Sequence, residues 1–99
     1  WSCDDTGSEN YHVNYGTSDS LYGPVRFEKT ILQKDVQKGV LGTGHHSICK
    51  VPGKDAYWIA YHRFGTPLAQ YPEGKGFHRE TCVAPLEFDE AGKMMEVIV

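Results

Sequence analysis

Glycine and proline interrupt this sequence so often that no long regular element can form. The breaks fall at Gly7, Gly16, Gly23-Pro24, Gly39, Gly42, Gly44, Pro52-Gly53, Gly65, Gly74, Gly76 and Gly92. Glycine loses the most backbone freedom on ordering and proline lacks an amide proton, so both punctuate rather than propagate structure. Between them lie short runs rich in β-branched and aromatic residues, the signature of strands. Tyr11-His12-Val13-Asn14-Tyr15 alternates apolar and polar, as a strand with one buried face does. Residues 25–32 read as a second strand, 45–51 as a third and 57–62 as a fourth. Pro52-Gly53-Lys54-Asp55 is a natural hairpin connection between the last two. Residues 80–88 and 93–99 read as a second hairpin turning at Asp89-Glu90-Ala91-Gly92.

Residues 32–42 carry no sustained apolar stripe, so they are expected to be a long connection rather than a helix. The expected fold is therefore all-β, with about six antiparallel strands whose last four suit a four-stranded propeller blade. Trp1-Ser2-Cys3 opens the chain with neither turn nor cap, as if inside a strand. A self-contained sheet avoids such an unprotected edge, so the chain is expected to be a piece of a larger β assembly.

Composition narrows the partners. At 99 residues, 39% hydrophobic and 12% aromatic, the chain can bury a modest core. A net charge of −3 lacks the basic footprint of a nucleic-acid binder, and no apolar run is long enough to cross a bilayer. The polar start does not read as a signal peptide. Cys3, Cys49 and Cys82 are too widely spaced for a zinc site and too few for a disulfide framework. They are expected to be buried free thiols packing as small hydrophobes.

Two segments could carry chemistry. In Gly42-Thr43-Gly44-His45-His46-Ser47 the glycines allow close approach by a ligand or another strand. Strand alternation would send His45 and His46 to opposite faces, so at most one serves any site. That one could contact a ligand, a metal or its bound water, or could be structural. In His78-Arg79-Glu80-Thr81 the arginine could offer its fork of donors to a carboxylate or to vicinal sugar hydroxyls. The plainer alternative is a structural bridge from Arg79 to a carboxylate, although Glu80 should point away from it. The acidic groups Asp4-Asp5, Glu87, Asp89 and Glu90 read as solvated loop charge, and most of Trp1, Tyr11, Tyr15, Tyr57, Trp58 and Tyr61 as core.

The order of motifs adds a resemblance. Tyr15-Gly16-Thr17-Ser18-Asp19-Ser20, Gly23-Pro24 and Gly42-Thr43-Gly44-His45-His46-Ser47-Ile48 are followed by Tyr57-Trp58-Ile59-Ala60-Tyr61-His62-Arg63, Arg79-Glu80-Thr81-Cys82 and Phe88-Asp89-Glu90-Ala91-Gly92. Over nearly its whole length the chain resembles the closing part of glycoside hydrolases of family 43. The resemblance implies the last one to two blades of a five-bladed β-propeller. Residues 1–33 would end blade four, 34–44 connect, and 45–99 form blade five of one truncated catalytic domain.

It further implies an inverting hydrolase of arabinose-, xylose- or galactose-containing plant polysaccharides or oligosaccharides. The catalytic aspartates and glutamate would lie upstream, leaving no catalytic residue in this chain and no activity in it alone. Arg79 and His45 would bind substrate, and His45 would also help hold calcium, directly or through water, in the intact propeller. Partners would be the carbohydrate and the remaining blades, with no nucleic acid and no membrane. The parent would be extracellular or periplasmic and bacterial, a cytoplasmic location remaining open. The competing readings are a non-catalytic carbohydrate-binding β module and a separate small β protein with no carbohydrate role.

Overall fold

The computed structural model describes residues 1–70 and 76–99; Gly74, one of the punctuating glycines, lies outside them. Strands β1 (Ser2–Cys3), β2 (His12–Thr17) and β3 (Arg26–Leu32) form one antiparallel sheet in that order. Strands β4 (Gly44–Lys50), β5 (Tyr57–Phe64) and β6 (Arg79–Leu86) form a second. All five strands expected up to residue 88 begin within one position of the sequence reading, and Tyr57 begins β5 as expected.

The β4–β5 hairpin closes as its turn residues dictate. Val51 N–H donates to Ala56 O at 2.8 Å, Lys54 N–H to Val51 O at 3.2 Å, and Gly53 takes φ +73°. Residues 33–43 form a connection with one 3₁₀ turn, Val36–Lys38, capped by the Asp35 side chain and ended by Gly39 at φ +71°. Among the described residues there is no α-helix.

One core lies between the sheets. Val13, Ile31 and Leu32 from the first meet Ile59, Tyr61, Ala84 and Leu86 from the second. Alternation puts Ile59 and Tyr61 inside while Trp58 and Val83 remain on the outer face, 40% and 61% exposed. Each fully buried aliphatic side chain here contributes about 1.5–3 kcal/mol relative to exposure.

Three expectations are corrected. Residues 93–99 do not form a strand with β6: only an isolated Phe88–Met94 bridge remains after the Asp89–Gly92 turn. The tail crosses to the first sheet instead, where Val97 N–H donates to Ile31 O at 2.7 Å and its side chain enters the core. The gain is burial of Val97 between two sheets, which pairing along β6 alone would not provide, and among the described residues the second sheet therefore has three strands rather than the expected four. None of the three free cysteines is fully buried, and Cys49 is exposed because it shares the outer face with its cross-strand partner Trp58. Of the aromatics assigned to the core, Tyr11 and Tyr61 are buried, but Trp1 is 50% exposed and packs edge-on against Phe27.

Candidate functional site

The Gly-Thr-Gly segment leads into β4 across two aromatic rings. Gly42, at φ +66°, has no room for a side chain: a Cβ would stand 2.6 Å from the Phe64 ring. A Cβ on Gly44 would collide with the Tyr11 ring. Both glycines thus admit protein rings rather than a ligand. Thr43 between them is fully buried, with no hydrogen-bond partner for Oγ1 among the described residues.

Beyond Gly44 the ladder slips. Gly44 pairs with His62 but Ser47 with Ala60, so two residues, His45 and His46, oppose Tyr61 alone. His45 occupies the left-handed region at φ +49°, and such a bulge re-aims side chains. The expected segregation of the two histidines to opposite faces is therefore overturned: both line one cleft of about 260 Å³ together with Tyr61 and His62. His46 is half-buried with Nδ1 3.4 Å from Ser2 Oγ, and burial lowers its pKa first, before its charged neighbours. His45 is exposed; its ring stacks on His62 at 5.1 Å with 23° between planes, and its N–H donates to Ser2 Oγ at 3.3 Å.

Arg79 opens β6 opposite Phe64. Its guanidinium lies over the Phe64 ring at 4.8 Å and the Tyr11 ring at 5.7 Å, a favourable placement for a cation. Nη1 donates to Gly42 O at 2.7 Å and lies 3.2 Å from His62 Nδ1. Nη2 is buried and has no hydrogen-bond partner among the described residues. Burial lowers the Arg79 pKa, but a guanidinium stays charged.

The plain alternative, a bridge from Arg79 to a carboxylate, is absent among the described residues. Glu80 does point elsewhere, accepting from Arg63 Nε at 2.8 Å and Thr66 Oγ1 at 2.7 Å. His45 and Arg79 thus meet through His62, which the sequence showed only as part of a strand. The signal lay in register: His62 pairs with Gly44 on one side and Thr81 on the other. Burial, then Arg79 and His45, hold the His62 imidazole below its usual pKa and favour its neutral form.

Calcium takes six to eight oxygen ligands, whereas this cluster offers imidazole nitrogens beside a guanidinium. No group of three or more His, Cys, Asp or Glu is arranged to hold a metal among the described residues. The chain's residues alone therefore do not fit calcium. The carboxylates noted in the sequence build turns: Asp5 Oδ1 accepts from Gly7 N–H at 2.7 Å, and Asp89 Oδ1 from Ala91 and Lys93 N–H at 2.9 and 3.0 Å. A larger cleft of about 730 Å³, lined by Asp55, Trp58, Phe88 and Glu90, shares no residue with the His45–Arg79 group. It is a groove between two turns.

The sequence matches the family description "Glycosyl hydrolases family 43" over residues 1–94. It is 37% identical over 92 residues to the beta-D-galactofuranosidase xynD of Aspergillus niger, covering 92% of this chain and 25% of that protein. Among solved structures it is similar to a glycoside hydrolase with TM-score 0.81 and 27% identity, covering 99% of this chain and 21% of that one. A thermostable family-43 glycoside hydrolase matches with TM-score 0.80 and 26% identity, over 99% of this chain and 30% of the other. The chain thus spans a quarter of the curated relative's length.

Proposed function

Because the chain belongs to the glycosyl hydrolases of family 43, its antiparallel sheets being part of that family's propeller, we propose that it forms the substrate-facing support of an inverting glycosidase. The substrates are oligosaccharides or polysaccharides containing arabinose, xylose or galactose; the galactofuranosidase relative supports the last of these. Inversion needs one carboxylic acid to protonate the leaving oxygen and a second carboxylate, about 6.5–9.5 Å away, to activate water. Both belong to parts of the protein outside these 99 residues, so the chain by itself releases no sugar. A carbohydrate-degrading enzyme of this kind acts outside the cell or in the periplasm.

The observation that carries the proposal is the buried Nη2 of Arg79, which has no hydrogen-bond partner among the described residues, in a group with an exposed imidazole. A buried donor without an acceptor costs free energy, about 1–3 kcal/mol and more when charged. Once Nη2 turns out of its enclosed position, a sugar hydroxyl or a carboxylate of the acid-base pair satisfies it, and the fixed positive charge also favours ionisation of that carboxylate. His45 presents an exposed polar ring that orients the sugar. Calcium would require its oxygen ligands from the rest of the protein, with His45 as a contact through water.

The test is steady-state kinetics of the intact protein on chromogenic arabinofuranosides, xylosides and galactofuranosides. Arg79→Ala should lower kcat/KM by about 10–100-fold, the scale of one hydrogen bond to a charged group, without lowering the melting temperature appreciably. Unchanged kinetics would remove Arg79 from the site. Sugar binding with no hydrolysis by the intact wild type would favour the non-catalytic module.

A further inference from the structure

We infer that His62 is a positioning residue for Arg79: its proton-free Nδ1 and the Gly42 carbonyl together hold Nη1 and so fix the plane of the guanidinium. This deepens the proposed glycosidase reading and rests on it for its kinetic consequence, though not for its geometry. A guanidinium has donors only, so the nitrogen facing Nη1 at 3.2 Å must be the acceptor. That contact assigns the tautomer: Nδ1 is bare and the proton sits on Nε2. Stacking on His45 and the tilted approach to Tyr11 at 6.2 Å hold the ring's plane. Gly42 O, 2.7 Å from the same Nη1, supplies the second fixed point. Both acceptors lie on Nη1, and Nη2 has none among the described residues.

The arrangement explains why a histidine stands at the β5 position paired with both Gly44 and Thr81. An aliphatic residue could fill the space. It would leave Nη1 with one acceptor and let the guanidinium rotate.

The experiment uses the intact protein and four variants. His62→Leu keeps bulk but removes the acceptor; His62→Asn places Oδ1 where Nδ1 stood. His62→Leu should lower kcat about tenfold or more, while His62→Asn should recover most of it. Combining His62→Leu with Arg79→Ala should cost no more than Arg79→Ala alone, because the histidine acts through the arginine. Multiplying losses, or no rescue by Asn, would overturn the inference while leaving the glycosidase reading intact. Nitrogen NMR of histidine-labelled protein decides the geometry independently of activity. Nδ1 should appear proton-free in the wild type and shift in Arg79→Ala. A protonated Nδ1 would sink the idea even in a fully active enzyme, and the predicted tautomer would sustain it in a protein that proves inactive on all three sugars.

Discussion

At the residue scale, several side chains share one demand, close approach between backbone and ring. Tyr11 lies flush against Gly44 and Phe64 against Gly42, and these rings in turn carry the Arg79 guanidinium. Adding a methyl group at Gly44 forces Tyr11 aside, an overpacking that costs about 1–3 kcal/mol. Gly44→Ala should therefore lower the melting temperature measured by calorimetry. The displaced ring should also weaken substrate binding, since Tyr11 is part of the floor beneath Arg79. A variant as stable as wild type would show that the Tyr11 ring has room to retreat. Both glycines are visible in the sequence, but the rings they face are distant in the chain and could not be named from it.

At the scale of elements, the β5–β6 ladder is the most regular pairing in the molecule, running from Tyr57–Leu86 to Phe64–Arg79 without a register slip. Its far corner is closed by Glu80, Arg63 and Thr66. The hydrogen bond from Thr66, then that from Arg63, holds the Glu80 carboxyl below its ordinary value of 4.5 despite burial. A lowered folded-state pKa contributes stability that is fully present above the unfolded value and is lost as pH falls through the folded one. The melting-temperature advantage of wild type over Glu80→Gln should thus shrink as pH drops from about 4.5 downward. An advantage that stays constant across that window would show that the carboxylate is not coupled to folding. The strands of this ladder were legible because alternation and turn residues are local signals. The bulge at His45-His46 was not, because it depends on where β4 meets β5, and this is why the two histidines were expected on opposite faces.

At the scale of the whole molecule, the tail decides how the sheets are joined. Val97 is 6% exposed and hydrogen-bonds Ile31, while Lys93 reaches Glu28 at 2.7 Å and Gln33 reaches Glu96 at 2.8 Å. The two ion-pair and amide contacts are partly exposed and contribute little, so burial of Val97 is the principal term. Val97→Ala should cost about 1–3 kcal/mol in chemical denaturation. Lys93→Ala, by contrast, should lie within about 0.5–1 kcal/mol of wild type. Equal effects from the two would mean that charge, not packing, couples the sheets.

The sequence by itself determined that this chain is all-β, that its turns lie at residues 52–55 and 89–92, and that its motifs follow the order of family 43. These are local or linear properties, written in residue type and spacing. Tertiary structure alone decided that residues 93–99 cross between sheets, that His45 and His46 share a cleft, and that His62 stands between His45 and Arg79. Each of these depends on register and on burial between segments far apart in the chain, where a shift of one residue changes every neighbour.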